Sequence, residues 1–392
     1  GTFALDLPAA LRSVLSDEGV VIIDKFECTV ESSEYFSYRR DGVKVFLKKF
    51  IRKTVLKLLP GLNIAWPSLN SGAGGDLAVE IPAMIQNAMQ EPNFLGRNDI
   101  YVSVGLDWDH SNYEYLYWAK KQRHFEFVGI FYDGIPIQYP QYVRSEFFPA
   151  LFFRHYYFLS HLSDRIACIS NYSRDEFRNI SSKYAIDHLP DLKTIYLGEK
   201  ILKTSSPTRT LPEKFVLYVS TIESRKNHMI LLNCWKKAIA ENRLLPDLVF
   251  VGMWGWGIEE IQDVLNQSPE LKGRLHIFND VGDEELASIY QKAYLSVFPS
   301  FVEGWGLGAA ESLAYGTPCL ISDAAALKEA TRDLMPSLPP SDVDAWLGAL
   351  DLYANDPVAY RVLKEKAIHG FVLKTWSEFS DEFYQYALGG AC

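Results

Sequence analysis

No run of the ~18 apolar residues that a membrane-spanning helix requires occurs in the 392-residue chain. The first residues do not read as a secretory leader either. Cysteine is sparse and scattered: Cys28, Cys168, Cys234, Cys319 and Cys392 make no C-x-x-C pair and no metal-like spacing. That excludes a zinc ribbon or a disulfide framework and reads as reduced thiols of a cytoplasmic protein. Positive charge is in deficit. With 39 Lys and Arg against 49 Asp and Glu, the net charge of −10 argues against nucleic acid, whose phosphates select basic surfaces. Short repeats and low-complexity tracts are missing too. A chain that is 48% hydrophobic and 22% charged is an ordinary globular one.

From about residue 95 onward, short β-branched runs alternate with longer helical patterns. The strand candidates are 100–104, 125–132, 165–170 and 194–197, followed by 215–220, 248–251, 275–278, 295–299 and 318–321. Helical stretches such as 227–240 and 284–293 separate nearly all of them. This alternation predicts βαβ units and parallel sheets covered on both faces. The polar segment 199–213, with two prolines and no periodicity, is the best linker between two α/β halves. Ligands of open parallel sheets lie beyond the carboxyl ends of the strands, so the active site is expected in a cleft between the halves. An α/β domain usually opens on a strand, whereas residues 1–15 read as a loop and then a helix. The expectation is a removed leading strand or a chain that is part of a longer polypeptide.

The most informative stretch is Pro299-Ser300-Phe301-Val302-Glu303-Gly304-Trp305-Gly306-Leu307-Gly308-Ala309-Ala310-Glu311, closed by Gly316-Thr317-Pro318. A buried strand ends in a glycine-rich loop that opens a helix. Glycines let backbone approach a ligand closely, and free N–H groups at a helix start attract phosphate or a sugar's polar edge. Glu303 and Glu311 can both face the cleft, one towards sugar hydroxyls and one towards a ribose diol. The bland alternative is a strand–turn–helix corner with one capping glutamate. A second stretch, Val219-Ser220-Thr221-Ile222-Glu223-Ser224-Arg225-Lys226-Asn227, places adjacent cations between a strand and a helix, which suits a diphosphate. Alone, such a pair is usually a solvated helix start.

The 299–311 stretch resembles the E-x7-E signature of glycosyltransferase family 4, and the likeness runs over most of residues 125–385, in the manner of its mannosyltransferase-like branch in bacterial polysaccharide synthesis. It implies a GT-B fold, two Rossmann-like α/β domains facing across a cleft: an acceptor domain over 1–200, a donor domain over 213–372, and a final helix over 373–392 crossing back to the first. It also implies transfer with retention and no essential metal or other cofactor. By the same resemblance Glu303 lies near the donor sugar with loop residues Gly304, Trp305, Gly306 and Leu307, and Glu311 binds the ribose hydroxyls. Arg225 and Lys226, behind Ser220 and Thr221, hold the donor diphosphate.

Gly252, in Val251-Gly252-Met253-Trp254-Gly255-Trp256-Gly257, matches a glycine-rich turn near the nucleotide in that family, although Met253 stands where a lysine is common. Both a structural and a binding reading remain open. The loop 131–140 resembles the family's H-D-x-I-P-x-x-Y-P loop, with Asp133 retained and Tyr132 in the histidine's place. A phenol is a poor proton carrier near neutrality, so the catalytic histidine does not transfer to this chain. The turn at 169–175 resembles I-S-x-x-S-x-x-D, where Ser173 could equally be a helix N-cap. Asp107-Trp108-Asp109 with His110 is too short a pattern to define a metal site.

Segment 39–57 carries eight Lys and Arg against Asp41 alone, with apolar residues at helical spacing. It reads as a basic amphipathic helix lying on an anionic membrane, with peripheral contact through 39–59, or as one packed on its own domain. The rings of Tyr113, Tyr115, Tyr117, Trp118, Phe147, Phe148, Phe152, Phe153, Tyr156 and Tyr157 could form an acceptor platform, although helical spacing points more to core.

These features together lead to the expectation of a hexosyltransferase, GDP-mannose preferred as donor and a glycan or lipid-linked glycan as acceptor. The alternatives are a GT-B sugar-nucleotide epimerase and a non-catalytic module of a larger polysaccharide-assembly protein.

Overall fold

The computed structural model describes Arg97, residues 99–104, 113–145, 147–202 and 209–389, and the backbone of three short strands near the start. Of these, β1 (Val21–Ile22) runs parallel to a later strand, and β2 (Arg39–Arg40) pairs antiparallel with β3 (Val43–Lys44). The expected basic helix therefore does not begin at residue 39, where paired strands stand instead. Residues 45–59 lie outside the described residues.

The first sheet is parallel throughout, in the order β1–β4–β5–β6–β7, with β4 (Ile100–Ser103), β5 (Glu126–Phe131), β6 (Arg165–Cys168) and β7 (Asp191–Thr194). It is threaded by α1 (Tyr113–Arg123), α2 (Ile135–Gln138), α3 (Phe148–Leu162) and α4 (Asn171–Lys183). The second sheet contains β8 (Phe215–Val219), β9 (Asp247–Val251), β10 (Leu275–Phe278), β11 (Leu295–Phe298), β12 (Cys319–Ser322) and β13 (Ser337–Leu338). It too is parallel, in the order β10–β9–β8–β11–β12–β13. Around it lie α5 (His228–Ala240), α6 (Glu259–Gln267), α7 (Asp283–Lys292), α8 (Leu307–Ala314), α9 (Ala325–Ala330), α10 (Val343–Asn355) and α11 (Pro357–Gly370). Strands such as FVLYV and LSVF are apolar on both faces because helices cover both.

The second sheet has the doubly wound order in which chain direction reverses beside the first strand, here between β8 and β11. A ligand crevice opens at that switch point. The loops leaving β8 and β11 are the two that carry Arg225–Lys226 and Glu303.

The last helix, α12 (Trp376–Ala387), starts at a capping box built by Thr375 and Glu378. It lies on the first sheet: Phe379, Phe383 and Tyr386 are buried with Val128, Ile130, Ala167, Ile195 and Leu197. Burial of each such ring stabilises by roughly 2 kcal/mol. The Tyr386 hydroxyl donates to the Asp191 carbonyl at 2.6 Å.

Two readings of the sequence shift. The strand expected at 194–197 is formed by Asp191–Thr194. Its apolar signal came from Ile195 and Leu197, which are buried with α12, Ile195 N still donating to the Cys168 carbonyl at 2.8 Å, while the paired residues are mostly polar and partly exposed as befits an edge. The linker expected to start at Glu199 starts instead as a packed crossing. Glu199 is buried and exchanges backbone and carboxylate hydrogen bonds with Lys374, each 2.8 Å. A Cβ on Gly198 would meet the Trp376 nitrogen at 2.5 Å. The outgoing and returning chains cross side by side here.

Candidate active site

After β8 the chain makes one 3₁₀ turn over Ser224–Lys226, and Asn227 then takes a left-handed conformation, φ 58°. Its amide donates to the carbonyls of Pro299 (3.0 Å) and Pro340 (2.7 Å). This locks the cation-bearing turn against the loop that follows β11. Phe301 N also donates to the Arg225 carbonyl at 3.0 Å.

Across this seam the charges meet. Glu303 accepts from Lys226 Nζ at 2.6 Å and from Arg225 Nη1 at 2.8 Å, and Glu223 accepts from Arg225 Nη2 at 2.8 Å. Arg225 Nη1 also donates to the Val302 carbonyl at 2.8 Å. Burial works to raise the Glu303 carboxyl, but Lys226 and Arg225 overcome it and hold the group at about 2. Burial, with Arg225 alongside, lowers Lys226, and burial raises Glu223. Asp133 comes from the first domain. Burial raises its carboxyl while Arg225 pulls it down, so it belongs to the same electrostatic cluster.

The two domains touch at Gly304. A Cβ there would lie 2.8 Å from the Tyr132 carbonyl and 2.9 Å from Asp133 Cβ, so only glycine allows this approach. The Gly304 carbonyl accepts from Ser170 Oγ (2.7 Å) and Ser173 Oγ (3.1 Å). Ser170 is the N-cap of α4, accepting from Ser173 N, while Ser173 Oγ also donates to the Tyr132 carbonyl at 2.6 Å. Glu329 of α9 accepts from the Asn171 and Tyr172 nitrogens, both at 2.7 Å. A carboxylate from one domain thus satisfies orphan N–H groups of a helix in the other.

The structure brings Glu303, Arg225, Lys226 and Asp133 together and sets Glu311 apart. Glu311 lies on α8, 3.3 Å from the Tyr290 hydroxyl. Burial raises it to about 7 despite that hydrogen bond, with Asp283 and Glu199 adding to the rise. Gly306 caps α8 at φ 128°. Trp305 is buried, and its ring stacks on Tyr196 at 4.9 Å under the Arg332 guanidinium. Leu307 is exposed at the helix start.

Gly252 lies at a close backbone approach. A Cβ there would fall 1.8 Å from the Ser220 carbonyl oxygen, because the loops after β8 and β9 are laid together. Ile222 N donates to Met253 O, and Gly255 N to Ile222 O, both at 2.8 Å. Ser220 Oγ lies 3.4 Å from His228 Nε2, and Thr221 sits beneath Gly255.

Sequence reasoning missed Glu223, Glu329 and Glu176. The first could have been found from its position two residues before Arg225. Glu329 carries no local signal, because its partners lie in the other domain. Glu176 rather than Asp175 is the buried carboxylate of α4. It accepts from Gly134 N (3.2 Å) and the Tyr172 hydroxyl (2.8 Å), and burial raises it to about 7. Tyr132 donates its hydroxyl to the Val104 carbonyl at 2.6 Å, an engagement that fits a positioning role better than proton transfer. The pattern at 107–110 lies outside the described residues. Of the aromatic series, Tyr113, Phe152 and Tyr156 are core, Phe147 is exposed, and the side chains of Tyr115 and Trp118 lie outside the described residues.

With this geometry in place, comparison with known proteins shows what the second domain is similar to. Residues 203–369 match the family described as glycosyl transferases group 1. This part of the chain is similar to that family. The O-antigen chain mannosyltransferase B of Escherichia coli is 29% identical over 189 residues, 46% of this chain and 49% of that protein. The serotype-specific mannosyltransferase WbdA of Escherichia coli is 26% identical over 216 residues, 55% of this chain and 25% of that protein. The matched stretches thus span about half of one relative's length and a quarter of the other's. Among solved structures, sucrose-phosphate synthase from Thermosynechococcus elongatus superposes with a TM-score of 0.55 at 20% identity, covering 74% of this chain and 72% of that one. HepE from Anabaena, in complex with UDP and glucose, superposes with a TM-score of 0.56 at 13% identity, covering 78% and 80%. The fold is GT-B, as the family resemblance implies, and its two parallel sheets are those that the strand–helix alternation predicts. Among the described residues, no helix is long and apolar enough to cross a membrane.

Proposed function

We propose that this chain is a retaining glycosyltransferase that moves a hexose, mannose by preference, from a nucleotide-diphosphate sugar to a glycan or lipid-linked glycan in polysaccharide synthesis. The observation that carries the reading is the buried Arg225–Lys226–Glu303 cluster at the switch point of a domain similar to the group 1 glycosyl transferases. Two adjacent cations, paired with a carboxylate while no donor is bound, become partners for a diphosphate by exchanging one anion for another. Stabilising charge on the leaving diphosphate usually contributes most to the acceleration of such transfers, and here side chains are placed to supply it.

Glu303, released from the cations, orients the sugar with the amides of 304–307. Asp133 approaches from the first domain, on the side where the acceptor hydroxyl enters. The C1–O bond to the diphosphate breaks as the acceptor oxygen bonds to C1 from the same face, and the leaving phosphate oxygen takes the acceptor's proton. Glu311, beside Tyr290, suits the ribose diol. GDP-mannose as donor draws support from the mannosyltransferase relatives and from the 131–140 loop. The buried thiols Cys168, Cys234 and Cys319 suit a reducing compartment, and the basic segment at 39–59 would bring the enzyme to an anionic membrane face.

The test is transfer from GDP-mannose, in EDTA, to mannose oligosaccharides, with the new linkage read by NMR. An α-linked product supports the reading. A β-linked product overturns retention, and free epimerised sugar nucleotide without acceptor supports the epimerase alternative.

A further inference from the structure

The described rings of the 113–157 series lie largely in or against the core, as their helical spacing predicts, yet another aromatic group stands partly exposed at the edge of the charged cluster. Tyr139 and Tyr142 of the first domain are near-parallel at 6.3 Å, and Tyr142 lies parallel to Phe301 of the second domain at 5.8 Å with 9° between planes. Phe301 is 40% exposed and Trp256 37%. Trp256 donates its indole N–H to the Tyr142 backbone carbonyl at 2.7 Å, tying the second domain to the segment that carries that ring.

We propose that Tyr139, Tyr142, Phe301 and Trp256 form a carbohydrate-stacking platform that holds the acceptor glycan chain as it enters the cleft. The proposal rests on the glycosyl-transfer reading and names the acceptor's mode of binding. Four considerations support it. First, exposed aromatic rings gathered into one patch mark a binding surface more often than an accident of the fold. Second, the patch is continuous with the site: Phe301 is two residues before Glu303, and its N–H bonds to the carbonyl of Arg225. Third, the chemistry matches a neutral pyranose chain. A sugar ring has apolar C–H faces for stacking and a hydroxyl rim for polar groups, and the platform offers ring faces with the hydroxyls of Tyr139 and Tyr142 beside them. The Tyr142 hydroxyl is a phenol, protonated at neutral pH and so a donor, and burial moves its pKa further up. Fourth, the platform spans both domains, so a glycan seated on it is presented to the cleft where they meet.

The experiment titrates the intact protein with α-linked mannobiose, mannotriose and mannopentaose by calorimetry, with GDP binding measured on the same samples. The platform predicts affinity rising with chain length. It falls roughly tenfold or more in Tyr142→Ala and in Phe301→Ala, as for loss of an aromatic anchor, and is largely kept in Tyr142→Phe, with GDP binding unchanged throughout. Oligosaccharide binding that is absent, insensitive to length or equal in the alanine variants overturns the platform while GDP binding leaves the donor reading standing. Failure of GDP to bind any of the proteins overturns the donor reading itself. Binding of anionic vesicles that is lost in the same variants would assign the patch to lipid and also overturn the proposal.

Discussion

Glu303→Ala is expected to abolish transfer, lowering turnover by about 100-fold or more, while donor binding falls only modestly. The side chain has two tasks in the proposed cycle, pairing Arg225 and Lys226 before the donor arrives and orienting the sugar afterwards. Its removal leaves two largely buried cations, of which Arg225 keeps Glu223 as a paired carboxylate. Breaking a buried pair on one side costs about 3–5 kcal/mol, so the ligand-free variant should melt early. GDP should then stabilise the variant more than it stabilises the wild type, because the diphosphate replaces a missing anion. The pH dependence follows from the same group. A carboxyl held at about 2 instead of 4.5 contributes roughly 3 kcal/mol. That contribution is fully present above the unfolded pKa and is lost as pH falls through the folded one. Acid unfolding of Glu303→Ala should therefore be shallower between about pH 4.5 and 2. Wild-type turnover in the variant would remove Glu303 from the site.

Gly252→Ala is expected to be the most damaging of the single-methyl changes. The added carbon would sit 1.8 Å from the Ser220 carbonyl oxygen, and that neighbour is backbone of the loop leading to the cations. Relief requires separating the loops after β8 and β9, with loss of the hydrogen bonds joining Ile222 to Met253 and Gly255. A loss of about 3 kcal/mol or more follows, read as a lower urea midpoint, together with weakened nucleotide binding. An unchanged midpoint would mean that these loops yield easily and do not hold the cation turn in place.

Much of this architecture was legible in the chain because parallel strands buried on both faces leave short apolar runs, and helices between them leave a longer period. The strands 275–278 and 295–299, and the helices flanking them, emerge almost at their observed ends. Glu303, Arg225 and Lys226 were pointed to through the family resemblance, and the fold joins them because both segments follow strands that the doubly wound order sets side by side. What escaped was whatever depends on the other domain. Glu329 caps a helix more than 150 residues away, and the Trp305 ring stacks on Tyr196 from the other domain. Glu199 sits in a polar, proline-bearing segment that looked like free linker, yet the return of the chain at Lys374 buries it. None of these has a local signature, because the partner is brought there by the fold.

Calorimetric titration with GDP, UDP, dTDP and ADP, each with and without its sugar and all in EDTA, is the decisive test of a donor site built on Arg225 and Lys226. Saturable binding of one nucleotide is expected, GDP by preference, and it should be lost in the Arg225→Ala/Lys226→Ala double variant. Binding of none of them, or binding equally strong in the double variant, would refute that site.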